Sequence, residues 1–325
     1  MYGYTQSWLI HYLKWLLKKR TKCPKCVSLH TKKDGKQSGR QRYQCKSCGH
    51  KFQSKKRTNR VSKKLWEEYT RGKQTLAELE QKYKKSHVTI RKYLDQHEIG
   101  IPTDLPPQPT VIVPDTTFWG RQYGVVVFRS WTLRRNLWWN EVSSEKMVHY
   151  QYGRKILEER GWTFTAAVID GRRGLATVFK DIPVQMCHFH QLQIVTKYLT
   201  RRPQTEAAKE LRFLALTLTR TNEKIFGKAL TAWEKKYHGF YTEKTHILGT
   251  NRFYYTHKNV RSAYMSLHRN LPLLFTYQKY PELSIPNTTN TIDGYFASLK
   301  KKISAHHGLR KDRRYRVICE LLIRS

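Results

Sequence analysis

Two Cys-x-x-Cys pairs constrain what this chain can fold into more than any other feature. Cys23 and Cys26 form the first, Cys45 and Cys48 the second, and eighteen residues lie between them. Each such turn offers two thiolates to one ion, and zinc takes four soft ligands in a tetrahedron. The spacing therefore predicts a zinc ribbon over residues 21–58 holding one structural Zn²⁺. Gly49, His50 and Phe52 fit a short strand leaving the second knuckle. A redox or disulfide role is the alternative, and metal-ligand spacing argues against it. His30 and His50 are weaker candidates, since four thiolates already complete the shell.

Lys and Arg total 62 against 24 acids, a net charge of +38 spread along the whole chain. Such a field draws polyanions, because protein cations displace the counterions condensed on phosphate backbones. Charge alone does not choose between DNA, RNA and lipid. No segment is long and apolar enough to span a bilayer. The nearest, "WLIHYLKWLLKK" from Trp8 to Lys19, is broken by His11 and Lys14. It predicts an amphipathic helix within residues 1–20 that packs on the body or on a second subunit. No small-residue cleavage site follows it. The expectation is a soluble chain of the cytoplasm, associated with the nucleoid, with no membrane partner.

Residues 60–98 carry apolar side chains at helical spacing: Leu65, Trp66 and Tyr69, then Leu76, Leu79 and Tyr83, then Val88, Ile90, Tyr93 and Leu94. Gly72 separates the first two helices, and Ser86 is an expected N-cap for the third. Three short helices with a basic third read as a helix-turn-helix. His87, Thr89, Arg91 and Lys92 would then face a major groove. Arg40 and Arg42, in the basic stretch of the ribbon, are further expected DNA contacts. A helical spacer and a solvated charged face are the plain alternatives. Pro102, Pro106, Pro107 and Pro109 mark residues 99–110 as a linker.

From residue 111 the pattern changes. "VIVPD", "YGVVVFRS" and "NLWWNEV" read as three successive strands, and "TFTAAVID" as a fourth. A helix is expected between them, over 144–160. A short strand, "PVQMCHF", and a helix, "HQLQIVTKYLTR", follow. Residues 200–280 are expected to be helical. This predicts an α/β domain over 111–325, with a mixed sheet and an all-helical insertion. Asp115 ends the first strand and Asp170 the fourth, where catalytic groups gather in α/β folds. Asp293, the one acid between Glu282 and Asp312, stands in the first turn of an expected helix. Three carboxylates brought together suit two Mg²⁺ ions and in-line phosphodiester chemistry. Glu141 and Glu282 are alternative ligands, the first more readily a sheet-face residue and the second flanked by proline and loop. Trp233 reads as a buried helical tryptophan before a base-stacking one. Lys300, Lys301 and Arg310 belong to a basic stripe, 300–316, expected to bind phosphates with His306 and His307.

The order of these elements is that of the RNase H-like nuclease fold. The ribbon, the helix-turn-helix, "PDTTFWG", "VIDGRRGL", "CHFHQLQ" and "NTTNTIDGYFASLK" together resemble bacterial insertion-sequence transposases of the Mutator-like group, in their zinc-binding variant. The resemblance runs over nearly the whole chain. It implies a DDE/D triad at Asp115, Asp170 and Asp293, with Mg²⁺ or Mn²⁺ as cofactor and two ions per site. It also implies double-stranded DNA, both element ends and target, as partner, and a homodimer or higher synaptic assembly. The family's Cys-x-x-His motif matches Cys187 and His190. These are read as a buried cysteine and a helix-start histidine that position DNA or touch the aspartates. Two departures stand out. The third acid is aspartate where glutamate is commoner, and Pro114 precedes Asp115, so the first strand is expected to stop near Val113. Rival readings are a non-catalytic DNA-binding regulator and a structural RNA-binding protein.

Overall fold

The computed structural model describes residues 21–37, 39–53, 60–72, 74–97, 105–306 and 309–323, apart from the side chains of residues 40, 60–62, 290, 291 and 293. The expected helix over 1–20, residues 98–104 of the proline-rich stretch, and His307 lie outside them. The chain divides into two compact units, residues 1–64 and 65–325. In the first, β1 (Thr31–Gln37), β2 (Arg40–Cys45) and β3 (Lys51–Gln53) form an antiparallel sheet in the order β1-β2-β3. Gly39 takes φ +74° in the tight connection between β1 and β2, a conformation that costs glycine little.

Three short helices follow: α1 (Arg60–Thr70), α2 (Leu76–Tyr83) and α3 (His87–Asp95). Their apolar spacing does what the sequence requires, since Leu65, Trp66, Tyr69, Leu79, Ile90 and Leu94 are all buried. Thr75 caps α2 in a full capping box, its hydroxyl accepting from the Glu78 amide while the Glu78 carboxylate accepts from the Thr75 amide. The cap of α3 differs from expectation. Ser86 makes no side-chain bond to the helix amides. Its hydroxyl instead meets that of Thr89 at 3.0 Å, and Glu80 takes the His87 amide at 2.6 Å. A carboxylate from the preceding helix thus serves the first free amide of α3. The helices pack on the α/β body: the carboxylate of Asp95 accepts two bonds from the buried Arg313 guanidinium, at 2.9 and 2.7 Å.

The body is built on a five-stranded sheet in the order β6-β5-β4-β7-β8. Its strands are β4 (Pro109–Phe118), β5 (Gly124–Ser130), β6 (Arg135–Val142), β7 (Thr163–Ile169) and β8 (Val184–Met186). β4, β5 and β6 are antiparallel neighbours, whereas β7 and β8 run parallel to β4. β4 does not stop at Val113 but runs through Pro114, and backbone geometry explains why. The Val111 carbonyl accepts from Trp131 on the β5 side, and polar groups alternate sides residue by residue. Pro114 therefore turns its nitrogen toward β7, beyond the last parallel pair, Ile112 with Ala167. No ladder donor is lost there.

Both sheet faces are covered. Ile112, Ala167 and Ile169 point to a core closed by α4 (Met147–Glu159) and α5 (Leu175–Val178). Val111, Val113, Ala166 and Val168 point to the opposite core, shared with α1 to α3, α11 (Asn290–Ser304) and α12 (Lys311–Ile323). A third, separate core joins α6 (His188–Leu199), α7 (Glu206–Leu216), α8 (Glu223–Thr242) and α9 (Lys258–Leu274). Trp233 lies in this core, 4% exposed, stacked on Tyr241 and Tyr264, its indole N–H given to the Ala207 carbonyl. The span is not wholly helical, for β9 (Lys244–His246) and β10 (Phe253–Tyr255) form a hairpin. A four-residue helix, α10 (Thr276–Lys279), follows α9. No described helix is long and apolar enough to cross a membrane.

Candidate metal and nucleic-acid sites

The four ribbon cysteines converge. Cys23 Sγ lies 3.6 Å from Cys48 Sγ and Cys26 Sγ 3.5 Å from Cys45 Sγ. All four sulfurs lie within 4.8 Å of one another. That separation is what four thiolates around one ion at ~2.3 Å require. The surroundings of the four thiols differ. Burial pushes the Cys45 thiol up, but amides of Cys48 and Ser47 outweigh it and bring it down to about 6. The Ser28 amide lowers Cys26, yet its sulfur neighbours push it up to about 12. Crowded sulfurs that cannot all ionise alone are the donor set a divalent soft-accepting cation suits.

The second candidate site lies where β4 and β7 run side by side: Asp170 directly follows β7, whereas Asp115 does not end its strand as expected, because β4 stays paired with β5 as far as Phe118. Ile112 pairs with Ala167, so three residues further on Asp115 and Asp170 stand level on neighbouring strands. Side chains alternate along a strand. Asp115 thus shares the face of Val111 and Val113, and Asp170 that of Ala166 and Val168, which is the face α11 covers. Asp293 is in the first turn of α11, one residue after the buried Ile292; its side chain lies outside the described set. Asp115 and Asp170 are half-buried, and each orients one oxygen on a nearby amide, that of Thr116 at 2.7 Å and that of Arg172 at 2.9 Å. Gly171 follows at φ +81°, a conformation that L side chains rarely adopt, and a Cβ there would meet the end of the Met186 side chain, so the turn after Asp170 favours glycine.

A network absent from the sequence expectations ties the two aspartates together. The Tyr150 hydroxyl meets that of Thr116 at 2.8 Å and donates to Glu145 at 2.6 Å. Arg172 grips Glu145 twice, at the carboxylate (2.6 Å) and the main-chain carbonyl (2.7 Å). Burial raises the Glu145 carboxyl above its ordinary range; the Tyr150 bond and Arg172 pull the other way, and the Asp170 charge adds to the rise. Arg172 follows Asp170 by two residues, so its proximity was legible. Glu145 and Tyr150 carry no local pattern that announces them.

Cys187 is buried, and its sulfur accepts from both the amide and the hydroxyl of Thr289, at 3.3 and 3.1 Å. The His188 amide donates to the Asn287 carbonyl. These bonds fasten the segment entering α11 to the end of β8. Burial raises the Cys187 thiol, but hydrogen bonds from His190 and Thr289 bring it below its ordinary value. The pair thus positions protein rather than lying free. Of the alternative acids, Glu141 is paired with Lys311 at 2.7 Å and Glu282 is exposed on a short turn.

Several expected DNA contacts have partners within the protein. Arg42 is held by Asp34, through the carboxylate (3.0 Å) and the main-chain carbonyl (3.1 Å), because two strands of a small ribbon need a cross-strand tie. Arg40 sits in β2, its side chain outside the described set. His87 is half-buried against Glu80, and Thr89 is tied to Ser86. Arg91 and Lys92 are exposed, as are Lys300, Lys301 and Arg310. His306, expected beside the phosphates, is buried with its ring 4.3 Å from that of Tyr69, and burial lowers its pKa. Arg313 and Arg316 also turn inward, to Asp95 and over Trp66.

No family model matches the chain. No curated protein matches it. Among solved structures, a chain of the Drosophila P element transposase strand transfer complex is similar, with a TM-score of 0.41 and 11% identity, over 86% of this chain and 94% of that one.

Proposed function

We propose that the chain is a DNA transposase of the DDE/D type, akin to the zinc-binding Mutator-like insertion-sequence group. It binds the terminal inverted repeats of its element and catalyses metal-dependent strand cleavage and strand transfer. The observation that carries this reading is the level placement of Asp115 and Asp170 on neighbouring parallel strands, facing the helix that bears Asp293. The strand order, three antiparallel strands followed by two parallel ones, is what an RNase H-like domain requires.

Hard carboxylate oxygens fit Mg²⁺ or Mn²⁺. Asp115, Asp170 and Asp293 would hold two such ions, which when bound supply charge neutralisation at the phosphate and an acidified water or 3′-hydroxyl. The chain's own residues do the positioning. The Thr116 and Arg172 amides fix one oxygen of each aspartate, and Glu145 fixes Arg172. Cys187 and Thr289 secure the approach to α11. The helix trio acts as a helix-turn-helix, with Arg91 and Lys92 toward the DNA, while the ribbon adds a second contact built on zinc. Two element ends must be joined, so a homodimer or larger synaptic assembly on the nucleoid follows.

The test is cleavage of DNA spanning the gene and its flanks. Mg²⁺- or Mn²⁺-dependent nicking at the element ends is expected, and Asp170→Ala abolishes it. Undiminished cleavage by that variant overturns the assignment, and binding without cleavage by the unaltered protein points to a regulator.

A further inference from the structure

Beside Asp170 a cleft of about 480 Å³ opens between α6 and α9, starting at Gly171 and Arg173. Along α9, Lys258, Arg261 and Arg269 fall at i, i+3 and i+11, which puts them on one helical face. Lys197 of α6 faces them. Five cations therefore line one concavity, and among the described residues no carboxylate lines it with them. Some other cations of this unit are neutralised, Arg154 by Asp181 and Glu158, Lys236 by Glu210 and Lys279 by Glu223. Among the described residues, the charge-related contacts of the five are Arg261 over the rings of Tyr255 (4.0 Å) and Tyr241. Converging like charges in a concave site focus an anion-attracting field.

We infer that this cleft holds the phosphate backbone of one DNA strand where it leaves the Asp115–Asp170 edge. The inference rests on the catalytic reading above and extends it to the strand's path. A concavity of about 480 Å³ is too small to take a duplex, so the path it offers is for a single strand. Arg173 is three residues from Asp170, so the path begins at the reacting phosphate. Tyr198 and Tyr255 offer aromatic faces in the same cleft.

The experiment compares three full-length proteins: the unaltered chain, Lys197→Gln/Lys258→Gln/Arg269→Gln, and a control, Lys224→Gln/Lys228→Gln/Lys235→Gln. The control removes the same charge from exposed lysines of α8 outside the cleft. Fluorescence anisotropy with labelled single-stranded DNA of mixed sequence gives the salt dependence of affinity. Each lost phosphate contact lowers the log–log slope by ~0.7 for single strands, so the cleft variant is expected to lose about 2. The control is expected to keep the slope of the unaltered chain. Equal slopes in all three, or equal losses in both variants, overturn the inference. So does discrimination of the cleft variant by inorganic tripolyphosphate but not by DNA, which would make the cleft a site for a free phosphate compound. Cleavage by the unaltered chain is scored separately. If it is absent while the slopes separate as expected, the catalytic reading falls and the cleft stands.

Discussion

Glu145→Gln separates positioning from stability. The Glu145 side chain is 16% exposed and Arg172 39%. The glutamate makes bonds to Tyr150 and Arg172, at 2.6 Å each. Charge-assisted bonds of this kind contribute about 1.5–3 kcal/mol each, and the exposure of Arg172 puts its share at the low end. Opposing them is burial, which wins, because the Glu145 carboxyl titrates above its ordinary range. The sign follows: a raised folded pKa means that ionisation costs folding stability at neutral pH, a cost that vanishes as pH falls through the folded value. A neutral glutamine therefore loses the strong bonds and the burial cost together. The thermal midpoint at pH 7 is expected within about 3 °C of the unaltered protein. The difference moves in favour of glutamate on acidification toward pH 5. Activity behaves differently, because Arg172 is no longer clamped and its amide orients Asp170. A positioning loss of about 1.4–3 kcal/mol is roughly tenfold to a hundredfold in metal-dependent cleavage, expected in kcat with KM for DNA unchanged. Cleavage at the original rate would refute the positioning role, and outright unfolding would refute the balance of burial against bonding.

Other consequences follow from single contacts. The ribbon is expected to carry one zinc per chain; Cys45→Ser should abolish retention, and a chelator should unfold the ribbon while the second unit keeps its melting transition. Asp95→Ala strands the Arg313 guanidinium, 9% exposed against 47% for its partner. A fully buried pair broken this way costs about 3–5 kcal/mol, and the exposure of Asp95 reduces this to about 2; urea unfolding of the single and double variants measures it. His188 and His306 are buried with pKa values lowered from 6.5, chiefly by burial. Their contribution is present above that value and is lost as pH falls below it. Replacing both with glutamine should flatten the acid limb of the stability–pH curve by up to two protons, about 2.7 kcal/mol per pH unit at most.

Much of the architecture was legible because it rests on local signals. Continuous apolar runs such as "GVVVFRS" gave strands buried on both faces, and the Cys-x-x-Cys spacing gave the sulfur cluster. Asp170 sits at a strand end because the turn glycine Gly171 follows directly on it, whereas Asp115 lies within β4, whose pairing with β5 runs on to Phe118. What escaped detection is long-range. The Glu145–Arg172 tie spans 27 residues and the Cys187–Thr289 tie 102, and nothing in either neighbourhood announces its partner. The basic stripe misled for a related reason. Charge density in the sequence is blind to which guanidinium turns inward, and Arg313 does so because Asp95 lies across the packed helices. Pro114 misled because a missing donor matters only on the side where a ladder continues.

The central claim is that three carboxylates distant in sequence share divalent ions. Electron paramagnetic resonance of Mn²⁺ titrated into zinc-loaded protein, in the presence of its DNA, tests it directly. The account predicts two bound Mn²⁺ per chain with spin-coupled lines, weakened by each of Asp115→Asn, Asp170→Asn and Asp293→Asn. Binding by the Asp293 variant indistinguishable from that of the unaltered chain would contradict it.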